Sequence, residues 1–291
     1  MTYKDIYAAG KERLVAAGIG EAALDARLLL EYVCGTDRNE LIVHGDRPVM
    51  EKQERQYHEL LERRESRIPL QYLTGEQEFM GLSFLVNKHV LIPRQDTEIL
   101  VEEVLKNLHD GMSILDLCTG SGCILLSLLR YTNNCRGLGV DISPEALSVA
   151  RENAKRLVPE CLLQEEEGDG VKLRLLESDL YERVEGQFDV IVSNPPYIPT
   201  KVIETLMPEV REHEPRLALD GSEDGLLFYR RIIEGSRAHL KGGGMLFFEI
   251  GYDQGKAVSE LMEQAGFIQV QVTKDYAGLD RVVSGILSVV S

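Results

Sequence analysis

The 291-residue chain has little positive charge: 32 Lys and Arg stand against 48 Asp and Glu, for a formal net charge of −16. Nucleic-acid backbones are bound by clustered basic side chains that neutralise phosphates. The charge balance therefore argues against a protein whose main partner is nucleic acid. The chain also lacks any run of about 18 apolar residues, the length a membrane-spanning helix needs, so we expect no membrane partner.

Cysteine and histidine are sparse and scattered. The five cysteines are an odd count, which is typical of reduced cytoplasmic thiols rather than of a disulfide framework. Cys118 and Cys123 are near neighbours, but no histidine lies close to them, so we predict no metal site. Residues 1–5 lack the charged and apolar regions of a signal peptide, and a cytoplasmic location is expected.

The chain is predicted to divide into three parts. Residues 1–70 read as a small helical domain, residues 71–92 as a hairpin or connector, and residues 93–291 as a larger domain. The helical part is interpreted either as a stability or solubility module or as a clamp that selects a partner. Its periodicity alone does not decide between the two.

One helix of the N-terminal domain shows a clear apolar pattern. Leu24, Leu28 and Tyr32 recur at i, i+4 and i+8, with Leu29 and Val33 beside them, which predicts that these residues form its buried face. Asp25 falls on the opposite side and is predicted to face solvent.

The longer part alternates strands and helices. Seven apolar runs predict strands, at residues 113–117, 136–140, 173–176, 190–192, 245–248, 268–272 and 282–287. Because strands that alternate with helices form parallel sheets covered on both faces, we predict an α/β fold. The last two strands are predicted to pair antiparallel.

A glycine-rich turn, Cys118-Thr119-Gly120-Ser121-Gly122, follows the first of these strands. Gly120 and Gly122 let the backbone approach a ligand closely, with amides of the next helix facing it. Asp141 ends the second strand 21 residues after Gly120, where a carboxylate can accept both hydroxyls of a ribose. The pattern predicts an adenosine-containing cofactor.

The same pattern departs from a dinucleotide fingerprint. Leu125 stands where that fingerprint has its third glycine, and Asp116 is not part of it. Both departures favour S-adenosylmethionine over NAD. Asp179, after the third strand, is a candidate for the adenine amino group, with Leu180 packing on the ring. A turn or helix cap at Asp179 fits the spacing equally well.

The tetrapeptide Asn194-Pro195-Pro196-Tyr197 follows the strand at 188–193. The prolines stop that strand because neither can donate to a sheet ladder, and open α/β sheets bind ligands at this edge. Asn194 and Pro195 offer two oxygens and Tyr197 an aromatic face, a set that suits a planar NH2 group. An ordinary turn is the alternative, since Asn-Pro and Pro-Pro are common turn signals.

These motifs resemble the signature series of class I S-adenosylmethionine-dependent methyltransferases that act on planar nitrogens. Further segments resemble the HemK/PrmC family of peptide chain release factor glutamine methyltransferases over nearly the full length. They are Gln71-Tyr72-Leu73-Thr74-Gly75, Ile92-Pro93-Arg94, Glu214-Pro215-Arg216-Leu217-Ala218-Leu219-Asp220-Gly221, Glu249-Ile250-Gly251 and Leu279-Asp280-Arg281.

The resemblance implies a Rossmann-like, mostly parallel seven-stranded sheet with a small N-terminal helical bundle. It implies methyl transfer from S-adenosylmethionine to the side-chain nitrogen (N5) of the glutamine in the Gly-Gly-Gln loop of class 1 release factors, by a monomer that leaves S-adenosylhomocysteine. Asn194, Pro195 and Tyr197 are then the catalytic candidates, and Pro196 joins them in binding substrate. The cofactor candidates are Cys118, Thr119, Gly120, Ser121, Gly122, Asp141, Asp179, Leu180 and Asn194.

The chain departs from the family pattern at three places. Cys118 stands where glycine is usual, which affects the shape of the methionine pocket. Gln95-Asp96-Thr97-Glu98 replaces Pro-Glu-Thr-Glu, and residues 164–170 form an acidic insertion.

Two other functions fit parts of the pattern. An amino methyltransferase acting on adenine or cytosine of nucleic acid can use the same tetrapeptide, and a basic surface stripe would favour it. A non-catalytic module that docks on a translation factor is the second, and failure to bind S-adenosylmethionine would favour it.

Overall fold

The computed structural model describes residues 1–162 and 172–288. The chain forms two compact units, of which the first comprises Met1–Glu76 and Met207–His213, and the second the remainder. The predicted insertion at residues 164–170 lies outside the described residues.

The helices are named here in chain order. They are α1 (Tyr3–Ala16), α2 (Ala22–Cys34), α3 (Arg38–Val43), α4 (Glu51–Glu65), α5 (Leu70–Thr74), α6 (Gln95–Leu105), α7 (Cys123–Tyr131), α8 (Pro144–Leu157), α9 (Thr200–Ile203), α10 (Pro208–His213), α11 (Leu227–His239) and α12 (Gly255–Gln264). Among the residues the structure describes, none of these helices has the length and apolar character required to cross a membrane.

The strands follow the same order. They are β1 (Glu76–Phe79), β2 (Leu82–Leu85), β3 (Ser113–Leu117), β4 (Arg136–Asp141), β5 (Leu173–Glu177), β6 (Phe188–Ser193), β7 (Leu240–Glu249), β8 (Phe267–Lys274) and β9 (Asp280–Leu287). β1 and β2 form a two-stranded sheet of their own. The turn between them holds Met80 and Gly81, both in the left-handed region.

The first unit packs α1, α2 and α4 around an apolar core that includes Leu29 and Tyr57. The predicted buried face of α2 is wrong in part: Leu29 is buried as predicted, but the face is turned away from Leu24 and Tyr32. Leu24 and Tyr32 are 41% and 49% exposed, whereas Asp25 is 5% exposed. The reason is a partner on α4: Arg64 Nε donates to Asp25 Oδ2 at 2.7 Å, and a buried carboxylate is tolerated when a hydrogen-bonded cation pairs with it.

The second unit is built on a seven-stranded sheet with the order β5-β4-β3-β6-β7-β9-β8. β3 pairs parallel with β4 and with β6, and β6 with β7. β9 runs antiparallel to both β7 and β8. The predicted α/β fold with a mostly parallel sheet is therefore confirmed, as is the antiparallel final pair.

Helices cover both faces of this sheet. Leu100, Leu125 and Ala154, from α6, α7 and α8, belong to one buried apolar cluster, and Tyr229 and Met262, from α11 and α12, belong to the other. From β3 the chain builds outward through β4 and β5, then returns to add β6 and β7 on the other side. The strand order thus reverses between β3 and β6, and α/β sheets bind ligands at such a point, beyond the carboxyl ends of the strands.

Candidate active site

The backbone after β3 turns through three left-handed residues. The φ angles are +61° at Cys118, +55° at Gly120 and +81° at Gly122. The Thr119 amide donates to the Val140 carbonyl at 2.9 Å, which ties the loop to the neighbouring strand β4. This tight path carries the chain directly from the sheet edge into α7.

Cys118 carries a conformational cost in this loop, because a left-handed backbone costs a residue with a Cβ about 1–2 kcal/mol. We expect Cys118→Gly to relieve that strain. The greater freedom of glycine in the unfolded chain offsets about 0.4–1 kcal/mol, leaving a net stabilisation of about 0.8 kcal/mol at the middle of the two ranges, which together span about 0–1.6 kcal/mol. Urea unfolding at equilibrium measures the change. Cys118→Ala, which keeps the Cβ, is the matched control, and equal stability of the two variants would contradict the prediction.

Asp141 closes the loop from the end of β4. Its Oδ2 accepts from the Gly120 amide at 2.8 Å and its Oδ1 from the Ser143 amide at 2.9 Å. Burial raises the pKa of Asp141 despite these donors. Each carboxylate oxygen is held in place and keeps a lone pair for a further donor, as binding of a ribose diol requires.

A second carboxylate lies beneath the loop. Asp116 is fully buried, and its Oδ2 accepts from the Thr119 hydroxyl at 2.6 Å. Burial, together with the negative charge of Asp141, raises the pKa of Asp116 to about 7. The Asp116–Thr119 bond fastens the loop to β3.

Asn153 supports the loop from α8, and the sequence pattern did not identify it. Its Nδ2 donates to the Ser121 carbonyl at 3.0 Å. The same fully buried side chain accepts from the Leu85 amide at 2.7 Å and donates to the Leu85 carbonyl at 3.0 Å. An asparagine in the middle of a helix, at a position where the pattern is apolar, indicates a buried side chain that hydrogen-bonds the backbone of other segments.

Asp179 and Leu180 follow β5. Arg231, on α11, donates to Asp179 Oδ2 at 2.9 Å. Leu180 is buried and has a φ of +49°. The loops that follow β3 and β5, on either side of β4 in the sheet, therefore each hold a non-glycine residue in a sparsely populated conformation, a pattern that clusters at binding sites.

The backbone of the tetrapeptide at residues 194–197 is held in place by two other segments of the chain. Gln254 Nε2 donates to the Tyr197 carbonyl at 3.0 Å. A Cβ added at Gly221 or at Gly225 would lie 2.7 Å or 2.3 Å from Tyr197 backbone atoms. The segment that contains these glycines thus packs directly against the turn and fixes its backbone. The Tyr197 hydroxyl points to Glu249 Oε1 at 3.4 Å, and burial raises the pKa of this phenol.

One cavity joins most of the predicted site residues. Its lining includes Cys118, Thr119, Gly120, Ser121, Asp141, Asp179, Leu180, Asn194 and Pro196. Gly122, Pro195 and Tyr197 are not in the lining: Gly122 caps α7, Pro195 is buried and Tyr197 is partly buried.

The cavity lining also contains residues to which sequence reasoning gave no role. They include Arg94, Thr97, Phe228 and Arg231. Arg94 pairs with the buried carboxylate of Glu214. The segments around Arg94 and Glu214 did stand out in the family resemblance, which was the available signal.

The chemistry of the lining fits S-adenosylmethionine. Leu180 and Phe228 offer apolar surface to a planar base, while Asp141 offers paired acceptors to a ribose. The glycine-rich loop presents backbone close to the amino end of α7, where carboxylates and phosphates bind. Asn194 brings an amide into the same cavity, next to the place where the loop begins.

Comparison with known proteins agrees with this arrangement. Residues 5–75 match the profile described as the PrmC N-terminal domain, and residues 94–213 match the methyltransferase small domain. The release factor glutamine methyltransferase of Caulobacter vibrioides is 45% identical over 98% of this chain and 96% of its own. That of Geobacter sulfurreducens is 42% identical over 94% of this chain and 92% of its own. A methyltransferase structure from Pyrococcus furiosus has a TM-score of 0.52 at 20% identity, over 78% of this chain and 99% of that one.

The sheet order, the loop after β3 and the tetrapeptide after β6 define a class I methyltransferase. The extent of identity over nearly the whole length narrows the class. The chain belongs to the release factor glutamine methyltransferase family, and the resemblance read from its motifs is confirmed.

Proposed function

We propose that this protein transfers a methyl group from S-adenosylmethionine to the side-chain amide nitrogen of the glutamine in the Gly-Gly-Gln loop of class 1 release factors. One observation carries the proposal: Asn194 lines the same cavity as the carboxylate of Asp141 and the glycine-rich loop. An acceptor for a planar nitrogen and a site for an adenosine cofactor therefore share one space. The names of the relatives from Caulobacter vibrioides and Geobacter sulfurreducens support the choice of substrate.

The chemical difficulty lies in the nucleophile. The lone pair of an amide nitrogen is delocalised into its carbonyl, so the nitrogen attacks only when that conjugation is reduced. Asn194 Oδ1 and the Pro195 carbonyl would accept the two N–H bonds of the glutamine and fix its rotation. Both oxygens are held by the turn and stabilise positive charge as it develops on nitrogen, which is electrostatic preorganisation.

Bound S-adenosylmethionine supplies an electrophilic methyl group on a sulfonium. The N–C bond forms as the C–S bond breaks, and the methylated nitrogen then releases a proton. No strong base is required, because a protonated amide is acidic. The Tyr197 ring would lie against the amide plane and exclude water, and holding the reacting atoms in line contributes further, up to about 7–11 kcal/mol in favourable cases.

Other residues would bind the cofactor rather than act on the substrate. Asp141 would accept the ribose hydroxyls, and the loop from Cys118 to Gly122 would surround the methionine part. Asp179 and Leu180 would contact the adenine. The ion pair with Arg231 leaves Asp179 Oδ1 as the acceptor for the adenine amino group.

The direct test is mass spectrometry of a release factor incubated with this protein and S-adenosylmethionine. We expect one added methyl group on the Gly-Gly-Gln glutamine, and none on a release factor that carries alanine there. Absence of the added mass while calorimetry shows cofactor binding would reject this substrate. A methylated oligonucleotide in a parallel reaction would instead establish the amino methyltransferase alternative.

A further inference from the structure

Glu249 is a buried carboxylate next to the proposed catalytic turn. It ends β7, and in the parallel β6–β7 ladder Ser193 pairs with Phe248, so Asn194 and Glu249 follow that pair on neighbouring strands. The residue is 2% exposed. Its Oε2 has no hydrogen-bond partner within the described parts of the chain. A buried polar atom without a partner destabilises the folded state, so its presence calls for an explanation.

Tyr197 contacts this carboxylate directly, and Asn194 contacts Thr97, which lies near it. The Tyr197 hydroxyl donates to Glu249 Oε1 at 3.4 Å. Asn194 Nδ2 donates to Thr97 Oγ1 at 3.5 Å, and Thr97 lies close enough to Glu249 to lower its pKa. The Tyr197–Glu249 and Asn194–Thr97 hydrogen bonds are long, as hydrogen bonds at catalytic groups often are before the substrate binds.

The direction of these bonds fixes the direction of Asn194. An ionised carboxylate only accepts hydrogen bonds, so a Thr97 hydroxyl that turns toward Glu249 would donate its proton there and keep its lone pairs for other donors. Those lone pairs can accept from the NH2 end of Asn194 but not from its oxygen. Asn194 Oδ1 is then the end left for the glutamine NH2. If the Asn194 amide were flipped, its NH2 group would face the NH2 group of the glutamine, and neither could accept a hydrogen bond from the other.

We propose that Glu249 is a positioning residue that orients Asn194, through Thr97, and Tyr197 for methyl transfer. The inference rests on the function proposed above and deepens it. Glu249 acts through Thr97 and Tyr197, without contact to either substrate. One carboxylate thereby fixes the orientation of both the Asn194 oxygen that accepts from the glutamine and the Tyr197 ring.

Charged and titratable groups face Glu249 from several elements. Tyr197 follows β6, Tyr229 is on α11, Cys123 on α7, and Asp96 is on α6. Arg281, on β9, pairs with Asp275 at 3.0 Å and Asp96 at 3.2 Å. Burial dominates this balance and raises the pKa of Glu249 from 4.5 to about 7, against the hydrogen bond from Thr97 and the charge of Arg281.

Activity and stability should therefore respond to pH in opposite directions. Protonation of Glu249 removes the negative charge that attracts the hydroxyls of Tyr197 and Thr97, and the neutral acid can donate as well as accept, so kcat is expected to fall as the pH drops through about 7. The raised pKa means that the neutral form favours folding. Its contribution to stability is complete below pH 4.5 and is lost as the pH rises through about 7. A carboxylate with only a structural role would not produce the acid limb in kcat.

The test compares Glu249→Gln and Thr97→Val with wild type, using glutamine methylation of a release factor followed by mass. We expect kcat to fall at least tenfold and toward about 10²-fold, with the affinity for S-adenosylmethionine unchanged within about twofold. Glu249→Gln should also lose the acid limb near pH 7, and Thr97→Ser, which keeps the hydroxyl, should restore activity. Thr97→Val carries the test if Glu249→Gln does not fold, since it breaks the same link without touching the carboxyl group.

Asp189→Asn is the matched control, because Asp189 lies at the opposite end of β6 and its carboxylate accepts from Ser113 and Lys241. Its kcat should stay near wild type. Active wild-type enzyme with normal kcat in both Glu249→Gln and Thr97→Val would overturn the positioning role while leaving the proposed function intact. Inactive wild type would reject the proposed function and the positioning role together.

Discussion

Replacing Asn194 with alanine is expected to lower kcat by about 10²–10³-fold, the loss typical of removing one preorganised group that stabilises transition-state charge. Asn194 Oδ1 supplies one of two acceptors for the glutamine NH2 in the proposed geometry. The variant leaves a rotating amide whose lone pair is not aligned. The loop after β3 and Asp141, which would bind the cofactor, are untouched.

The measurement separates turnover from binding. Single-turnover methylation of a release factor, followed by peptide mass, gives the rate, and calorimetry gives the affinity for S-adenosylmethionine, which we expect to change less than about threefold. Asn107→Ala is a suitable control because Asn107 is exposed and lies outside the cavity lining. An Asn194→Ala enzyme with near-normal turnover would refute the mechanism.

The tetrapeptide and the glycine loop were accessible to sequence reasoning because they are local. Prolines end a strand wherever they occur, and Gly120 and Gly122 mark a turn without reference to the rest of the chain. The apolar runs likewise placed β3, β4 and β6, since strands buried on both faces are continuously apolar. The structure brings Asp141 and Asn194 into one cavity, at the edge of the sheet where strand ends converge.

Glu249 shows where local reasoning ends. It closes an apolar strand, and its segment, Glu249-Ile250-Gly251, stood out only through the family resemblance, which gave Glu249 no role. Its neighbour Asn194 is 55 positions earlier in the sequence, and the two meet only because β6 and β7 are adjacent in the sheet. Strand order is a property of the whole fold, so the pairing was not visible from either motif.

The helix α2 illustrates the same limit in the first unit. The spacing of Leu24 and Tyr32 predicted a partly wrong face because it treated Asp25 as a solvent-facing charge. Arg64, which is 39 residues away, pairs with Asp25 and reverses that preference. A buried ion pair changes which face of a helix turns inward, and it cannot be read from the periodicity of one helix alone.

Asp141→Ala is the second change with a large expected effect, and it should act on binding rather than on turnover. Hydrogen bonds to a charged group contribute about 1.5–3 kcal/mol each, so losing even one full ribose contact weakens S-adenosylmethionine by about 10–10²-fold. The Gly120 and Ser143 amides also lose their acceptor, which loosens the loop. The loss of affinity is therefore expected near the upper end of this range. At saturating cofactor, kcat should fall by less than tenfold, because Asn194 and Tyr197 keep their places.

Stability should change little at neutral pH in the same variant. Burial raises the pKa of Asp141, so its ionised form opposes folding, and the contribution of the neutral form is lost as the pH rises through the raised pKa. Replacement by alanine removes the cost of burying the charge, and it also removes the stabilising hydrogen bonds from the Gly120 and Ser143 amides. Calorimetry with S-adenosylmethionine, with Glu145→Gln as a control that removes an exposed charge four residues away, measures the binding effect. Wild-type affinity in Asp141→Ala would place the ribose elsewhere in the cavity, and weakened binding in both variants would indicate a general effect of charge.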